Sequence, residues 1–141
     1  IHSEDRAYLS TPEKLLSAEF ASTVSAMDFS EPTKVMELRN NDVIDLVGLS
    51  FRAIHAPGHT RGSLMFEVSE QVLVSGDVLF AGSIGRTDLP TGSAKEMEET
   101  LRKKVVPLSD HLEVLPGHGP RTSMAQEKKT NPYLKSLVGR Y

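Results

Sequence analysis

The sequence predicts a single α/β domain with antiparallel strands, and three observations carry that reading. Its 141 residues suit one domain. Between Val35 and Ser75, apolar or alternating runs of strand length follow one another, punctuated by Asn40-Asn41, Gly48 and Ser69-Glu70-Gln71. From Ala94 to Val106 the pattern becomes helical, with Glu96, Glu98 and Glu99 early and Arg102, Lys103 and Lys104 late, as the helix dipole favours. Apolar residues make up 38% of the chain, and with 10 glycines that share is enough for a packed core.

The elements follow in order. Ser3, Asp5 and Arg6 suit a helix start, and Thr11-Pro12-Glu13 reads as an N-cap with proline in the first turn, so about the first 25 residues are expected to be helical. Val35–Leu38, Val43–Leu46 and Leu49–Ile54 read as antiparallel strands. Ser63–Val68 and Val72–Ser75 suggest a hairpin ending at Gly76-Asp77. Residues 81–93 hold Gly82, Gly85 and Gly92 without a period, the signature of a long loop. Ser93 caps the helix that follows. Glu113–Leu115 is a short strand stopped by Pro116-Gly117, and Ser123–Lys129 is a last helix ending before Asn131-Pro132.

Composition narrows the chemistry. With no cysteine, thiolate metal sites, disulfides and thiol nucleophiles are excluded, so any metal must sit on His, Asp or Glu. No apolar run reaches the roughly 18 residues of a membrane span, and the start lacks the pattern of a signal peptide and reads as a cut. No membrane partner is expected, and the cytoplasm is the expected location. The net charge is −3, and only residues 101–141 are basic, with eight Lys and Arg against three acids. That distribution suits a solvated helix face or a small anionic ligand, and no nucleic-acid partner is expected.

Three ionisable residues share one setting. His59 in Pro57-Gly58-His59, Asp77 in Ser75-Gly76-Asp77 and His118 in Pro116-Gly117-His118 each follow an apolar strand and a glycine. A glycine there lets the backbone turn sharply and delivers the side chain to one rim of a sheet, where three such turns can meet at a cation. Imidazole and carboxylate suit zinc, iron or manganese. A Gly-His turn is equally an ordinary way to hydrogen-bond a loop histidine, and the spacing alone leaves both readings open. Thr60 is placed to orient His59 from behind. His55 reads as structural, and His2 and His111 as surface histidines. Ser63, Ser75 and Ser83 lack a nearby His-Asp pair, and the five methionines read as packing residues.

The segments His55-Ala56-Pro57-Gly58-His59-Thr60-Arg61-Gly62, Val74-Ser75-Gly76-Asp77-Val78-Leu79-Phe80 and Val114-Leu115-Pro116-Gly117-His118-Gly119-Pro120 resemble, in this order, the later metal motifs of the metallo-β-lactamase superfamily. Gly82-Ser83-Ile84-Gly85-Arg86-Thr87-Asp88-Leu89 and Thr130-Asn131-Pro132-Tyr133-Leu134 are similar to its glyoxalase II-like, hydroxyacylglutathione hydrolase-type branch. The superfamily's first motif, HxHxDH, is absent, so the chain resembles the C-terminal portion of an αβ/βα sandwich, one incomplete domain over residues 1–141 with a mostly antiparallel or mixed sheet.

The resemblance implies that His59 completes one metal site, that Asp77 is the catalytic carboxylate bridging two cations, and that His118 completes the second site. Two zinc ions are implied, with iron or manganese as the other candidates, and a water activated between them would attack a thioester of a glutathione-like thiol. Arg86 lies where relatives place a basic residue toward the thiol carrier's carboxylate, though an ion pair with Asp88 suits it equally. Lys135 either lies near the same anion or is simply solvated. The alternatives to a thioester hydrolase are an iron persulfide dioxygenase on the same scaffold and a non-catalytic binding or assembly fragment. A missing partner sheet implies an exposed sheet face through which the chain would self-associate.

Overall fold

The computed structural model describes residues 1–16, 20–22 and 30–138, with the Leu15 side chain left aside. The N-terminal segment holds two short 3-10 turns, Ser3–Leu9 and Pro12–Leu15, and residues 20–22 are helical. Pro12 explains the break: it lacks an N–H and disfavours the helical region for the residue before it. The caps also differ from expectation. His2, not Ser3, caps the first turn, its Nδ1 accepting from the Glu4 N–H at 3.3 Å, while the Thr11 hydroxyl donates back to the Ala7 carbonyl. The expected helix at 17–19 and 23–25, and Met27, lie outside the described residues.

Six strands form one sheet: β1 (Val43–Leu46), β2 (Leu49–His55), β3 (Leu64–Val68), β4 (Val72–Gly76), β7 (Glu113–Pro116) and β8 (Thr122–Ser123), in the spatial order β1-β2-β3-β4-β7-β8. All neighbours are antiparallel except β4 and β7, which run parallel. The β1–β2 turn places Val47 and Gly48 at φ +49° and +79°, the positive-φ backbone by which a two-residue turn matches the twist of its strands. A small separate hairpin, β5 (Leu79–Phe80) with β6 (Ser83–Ile84), occupies the start of the expected loop.

Val35–Leu38, expected as a strand, joins no ladder. Its backbone bonds instead to the first residue: Leu38 N–H donates to Ile1 O at 2.8 Å, and the Ile1 amine donates to Met36 O at 3.0 Å. Strand β8 and the four-residue helix over Pro132–Lys135 are too short to show a period.

Helix α1 (Ala94–Thr100) is capped by the Ser93 hydroxyl and runs on as a π turn over Leu101–Val105. Helices α2 (Met124–Thr130) and α3 (Pro132–Lys135) follow β8. The core joins Ile54, Met65, Leu73 and Val114 from alternate sheet positions to Met97, Leu101 and Val105 of α1 and to Met124, Leu134 and Leu137. Strand alternation sends the other set, with Ala53, Phe66, Val74 and Leu115 in register across four strands, to the opposite face. Leu115 there is 38% exposed.

Candidate metal centre

The three expected residues meet at one end of the sheet. The β4–β7 register shifts between Val74 and Gly76, just before Asp77, and Gly76 takes φ +52°, so the chain turns sharply as it leaves β4. Gly58 precedes His59 at φ +141°, where a Cβ would stand 2.6 Å from the Met97 backbone. Gly117 precedes His118, and a Cβ there would lie 2.3 Å from Asp77 Oδ1. Each glycine is thus a condition of the approach.

Each carboxylate oxygen of Asp77 faces its own imidazole. His59 Nε2 lies 3.6 Å from Oδ2, and His118 Nδ1 lies 3.2 Å from Oδ1. His59 is largely buried, whereas His118 is 70% exposed, its ring resting against Phe80 at 4.3 Å. His59 Nδ1 stands 2.9 Å from the Arg86 carbonyl oxygen, which can only accept, so the ring donates from Nδ1. In its neutral form the ring turns an Nε2 lone pair toward a carboxylate oxygen.

Two lone pairs at that separation call for a proton or a cation between them. Two donors held about 2.1 Å from one zinc at a tetrahedral angle stand roughly 3.4 Å apart, close to both observed separations. The donor chemistry therefore fits divalent cations, one on each side of the carboxylate. The set is partial, since among the described residues no group of three or more His, Asp or Glu converges as a complete cation site.

The other expected residues fall into different places. Arg86 offers His59 its carbonyl while its guanidinium forms a two-pronged pair with Asp88, at 2.7 and 2.8 Å, on the surface. That guanidinium holds the Asp88 carboxyl down to about 2, and the carboxylate in turn raises the Arg86 pKa. The bond that orients His59 comes from this carbonyl. Thr60, expected in that role, bonds instead to Asp5 and Ser63. Lys135 is exposed at the end of α3. His55 donates from Nε2 to the Arg61 carbonyl at 2.7 Å and stacks on His2 at 3.8 Å.

Three supporting residues escaped the sequence reading. Gly85 sits where a Cβ would be 1.8 Å from the Asp77 carbonyl oxygen and 3.3 Å from His59 Nδ1, so the loop passes backbone to backbone beside both site residues. Glu127, 1% exposed, accepts from Gly82 N at 2.9 Å, Asn131 Nδ2 at 2.8 Å and Thr122 Oγ1 at 2.7 Å. Asn131 also donates to the Ser83 carbonyl at 3.0 Å, so α2 holds the β5–β6 hairpin ahead of Gly85. The spacing of Glu127 and Asn131, one helical turn apart before a proline, was the available signal.

The sequence profile of the metallo-beta-lactamase superfamily matches residues 1–120. The chain belongs to that superfamily. An uncharacterised protein of Mycobacterium tuberculosis (strain ATCC 25618 / H37Rv) is 40% identical over 144 residues, a match covering 97% of this chain and 64% of that protein. Hydroxyacylglutathione hydrolase GloC of Haemophilus influenzae is 41% identical over 99 residues, or 70% of this chain and 47% of GloC. Among solved structures, TTHA1623 in a di-iron-bound form superposes with a TM-score of 0.73 at 33% identity, covering 95% of this chain and 63% of that one. The chain therefore spans less than two thirds of the length of these superfamily relatives.

Proposed function

We propose that this chain is part of a metal-dependent hydrolase of glyoxalase II type, acting on a thioester of glutathione or a similar small thiol. One observation carries the reading: the His59 ring, fixed as a donor to Arg86 O, turns its other nitrogen toward an Asp77 oxygen whose partner oxygen faces a second imidazole. The similarity to GloC supports the substrate class, and the di-iron form of TTHA1623 supports a pair of cations. Zinc is the proposed ion, with iron or manganese as alternatives, held by His59, Asp77 and His118 together with ligands supplied from outside this chain.

When bound, such cations acidify a water and polarise a carbonyl oxygen. The chain's own residues hold the parts in place. Asp77 lends one oxygen to each side and offsets positive charge, while the Arg86 carbonyl keeps His59 in the ligating tautomer. Hydrolysis makes one C–O bond and breaks one C–S bond, and a thiol leaves readily as thiolate because its pKa is only about 8.5. No nucleophile from the chain is required. Arg86 and Lys135 are the proposed contacts for the carboxylates of the thiol carrier. Among the described residues no helix is long and apolar enough to cross a membrane, and we place the activity in the cytoplasm.

The test uses a longer protein carrying this chain, assayed with zinc on a glutathione thioester. Asp77→Ala abolishes turnover with the fold retained, and Arg86→Ala raises KM with kcat nearly unchanged. Iron-dependent oxygen consumption on a persulfide, without thioester turnover, replaces this reading with the dioxygenase. The 141 residues alone should hold one divalent ion at most, weakly. Tight uptake of two ions by this chain would remove the need for outside ligands.

A further inference from the structure

We infer that Asp5 is a positioning residue for His59: its carboxylate reaches from the first 3-10 turn to clamp the loop that carries the imidazole. Asp5 Oδ2 accepts from Thr60 Oγ1 at 2.5 Å, and Oδ1 accepts from the Gly62 N–H at 2.9 Å, contacts spanning 55 and 57 residues of sequence. The proton count is closed. The single hydroxyl hydrogen of Thr60 goes to the carboxylate, so Ser63 Oγ must donate to Thr60 Oγ1 at 2.8 Å while accepting the Thr60 N–H at 3.0 Å.

The fit leaves no slack. A Cβ on Gly62 would stand 2.5 Å from Asp5 Cγ and 2.7 Å from Asp5 N, so the loop can lie against Asp5 only because residue 62 has no side chain. Thr60 is 7% exposed, and its bond to Asp5 is part-buried. The same N-terminal segment grips the loop a second time through His2, stacked on His55, whose Nε2 donates to the carbonyl of Arg61. On the other side of His59, Gly58 is fixed beneath Met97, and its carbonyl accepts from Ser93 N–H at 2.8 Å.

His59 thus stands between two anchored neighbours. Its ring must meet the Arg86 carbonyl at 2.9 Å to stay protonated at Nδ1, and that meeting depends on where the loop is held. Cutting the Asp5 clamp frees the C-terminal half of the loop and lets the ring drift toward the ordinary mixture of tautomers.

The inference rests on the proposed ligand role of His59 only for its consequence in metal binding, so the test has two arms. In the metal-free chain, at an alkaline pH where the imidazole is neutral, nitrogen NMR of His59 should report one Nδ1–H tautomer. Asp5→Ala should give a mixture and speed exchange of the Gly62 amide about tenfold to a hundredfold, the worth of one charge-assisted bond. Asp5→Asn, which keeps an acceptor for Gly62, should restore most of the tautomer. Thr60→Val, close to Thr in shape, should repeat the tautomer loss and decides the matter if Asp5→Ala does not fold.

In the second arm, Mn²⁺ should broaden the His59 and His118 ring signals of the unaltered chain. Asp5→Ala should require about tenfold more Mn²⁺ to broaden them, as expected for a residue behind a ligand. An unaltered His59 tautomer in both Asp5→Ala and Thr60→Val overturns the inference. If Mn²⁺ leaves both rings of the unaltered chain sharp, the metal reading falls, while the tautomer arm still decides the clamp.

Discussion

Glu127 gives the sharpest test of how the fold supports the centre. Its carboxylate is 1% exposed and accepts three hydrogen bonds, two on Oε2 from Gly82 N and Asn131 Nδ2 and one on Oε1 from Thr122 Oγ1. In Glu127→Gln the amide oxygen can keep both N–H donors, and the new NH₂ faces Thr122 Oγ1, which turns from donor to acceptor. Every contact survives. The loss is the charge assistance, partly offset by relief from burying a charge, so the expected cost is about 1 kcal/mol. In Glu127→Ala the Gly82 N–H and the Thr122 hydroxyl lose their acceptor, at about 1–3 kcal/mol for each such buried group, and a cavity opens. Asn131 suffers less because it still donates to the Ser83 carbonyl. The expected total for alanine is about 3–5 kcal/mol, a large share of the roughly 5–15 kcal/mol that holds a domain together. Urea denaturation of both variants measures the difference, with exchange of the Gly82 amide as the local readout. Equal losses for glutamine and alanine would show that the charge, rather than the hydrogen-bond geometry, is what the site needs. A loss below about 1 kcal/mol for alanine would refute the structural role altogether.

Other outcomes follow from the same geometry. Gly85→Ala puts a methyl 1.8 Å from the Asp77 carbonyl oxygen, a backbone clash that no rotamer relieves; it should cost at least about 2 kcal/mol by denaturation and break the His59–Arg86 bond seen by NMR. The Asp88 carboxyl lies below its ordinary value, so its pair with Arg86 contributes above pH 3.8 and is lost as pH falls through about 2; a carbon-detected titration of Asp88 checks this, and a midpoint near 3.8 contradicts it. Burial, followed by the neighbouring His55, pushes the His2 imidazole below 6.5, so the folded chain binds fewer protons there than the unfolded one. Docking of the first 3-10 turn should accordingly weaken as pH falls below 6.5, read as faster exchange of the Leu38 amide that donates to Ile1. Phe66→Lys, in the row of Ala53, Val74 and Leu115, should reduce self-association of the isolated chain in sedimentation velocity, and unchanged association would place the contact elsewhere.

Elements with a repeating pattern were legible because their period outlasts their ends. The alternation of β2, β3 and β4 and the charge gradient of α1 span enough residues to identify the element, and Ser93 marks where α1 begins. Val35–Leu38 shows where pattern misleads: four residues of strand-like composition make a strand only if a ladder is beside them, and here the neighbour is the first residue of the chain. The meeting of His59, Asp77 and His118 was legible through glycine followed by an ionisable residue. Its supports were not. Asp5 in an apparent helix start and Glu127 in an apparent surface helix carry no local mark, because the groups they bond lie 40 residues or more away in Thr60, Gly62 and Gly82.

Charge accounts for why these supports are made of backbone and carboxylate rather than of basic side chains. Asp77 brings a negative charge to two imidazoles, and a lysine or arginine placed against it would satisfy that charge without any bound cation. Arg86, whose backbone lies beside the centre, has its guanidinium taken by Asp88 and contributes only a carbonyl oxygen. Gly85 and Gly117 approach with no side chain at all, and the His59 loop is braced by an acid, Asp5. A carbonyl acceptor fixes the His59 tautomer without adding a cation, so the free nitrogen and both carboxylate oxygens keep their lone pairs. The fold therefore holds three donors near hydrogen-bond range, and among the described residues no positive side chain is bound between them, an arrangement that suits a divalent cation.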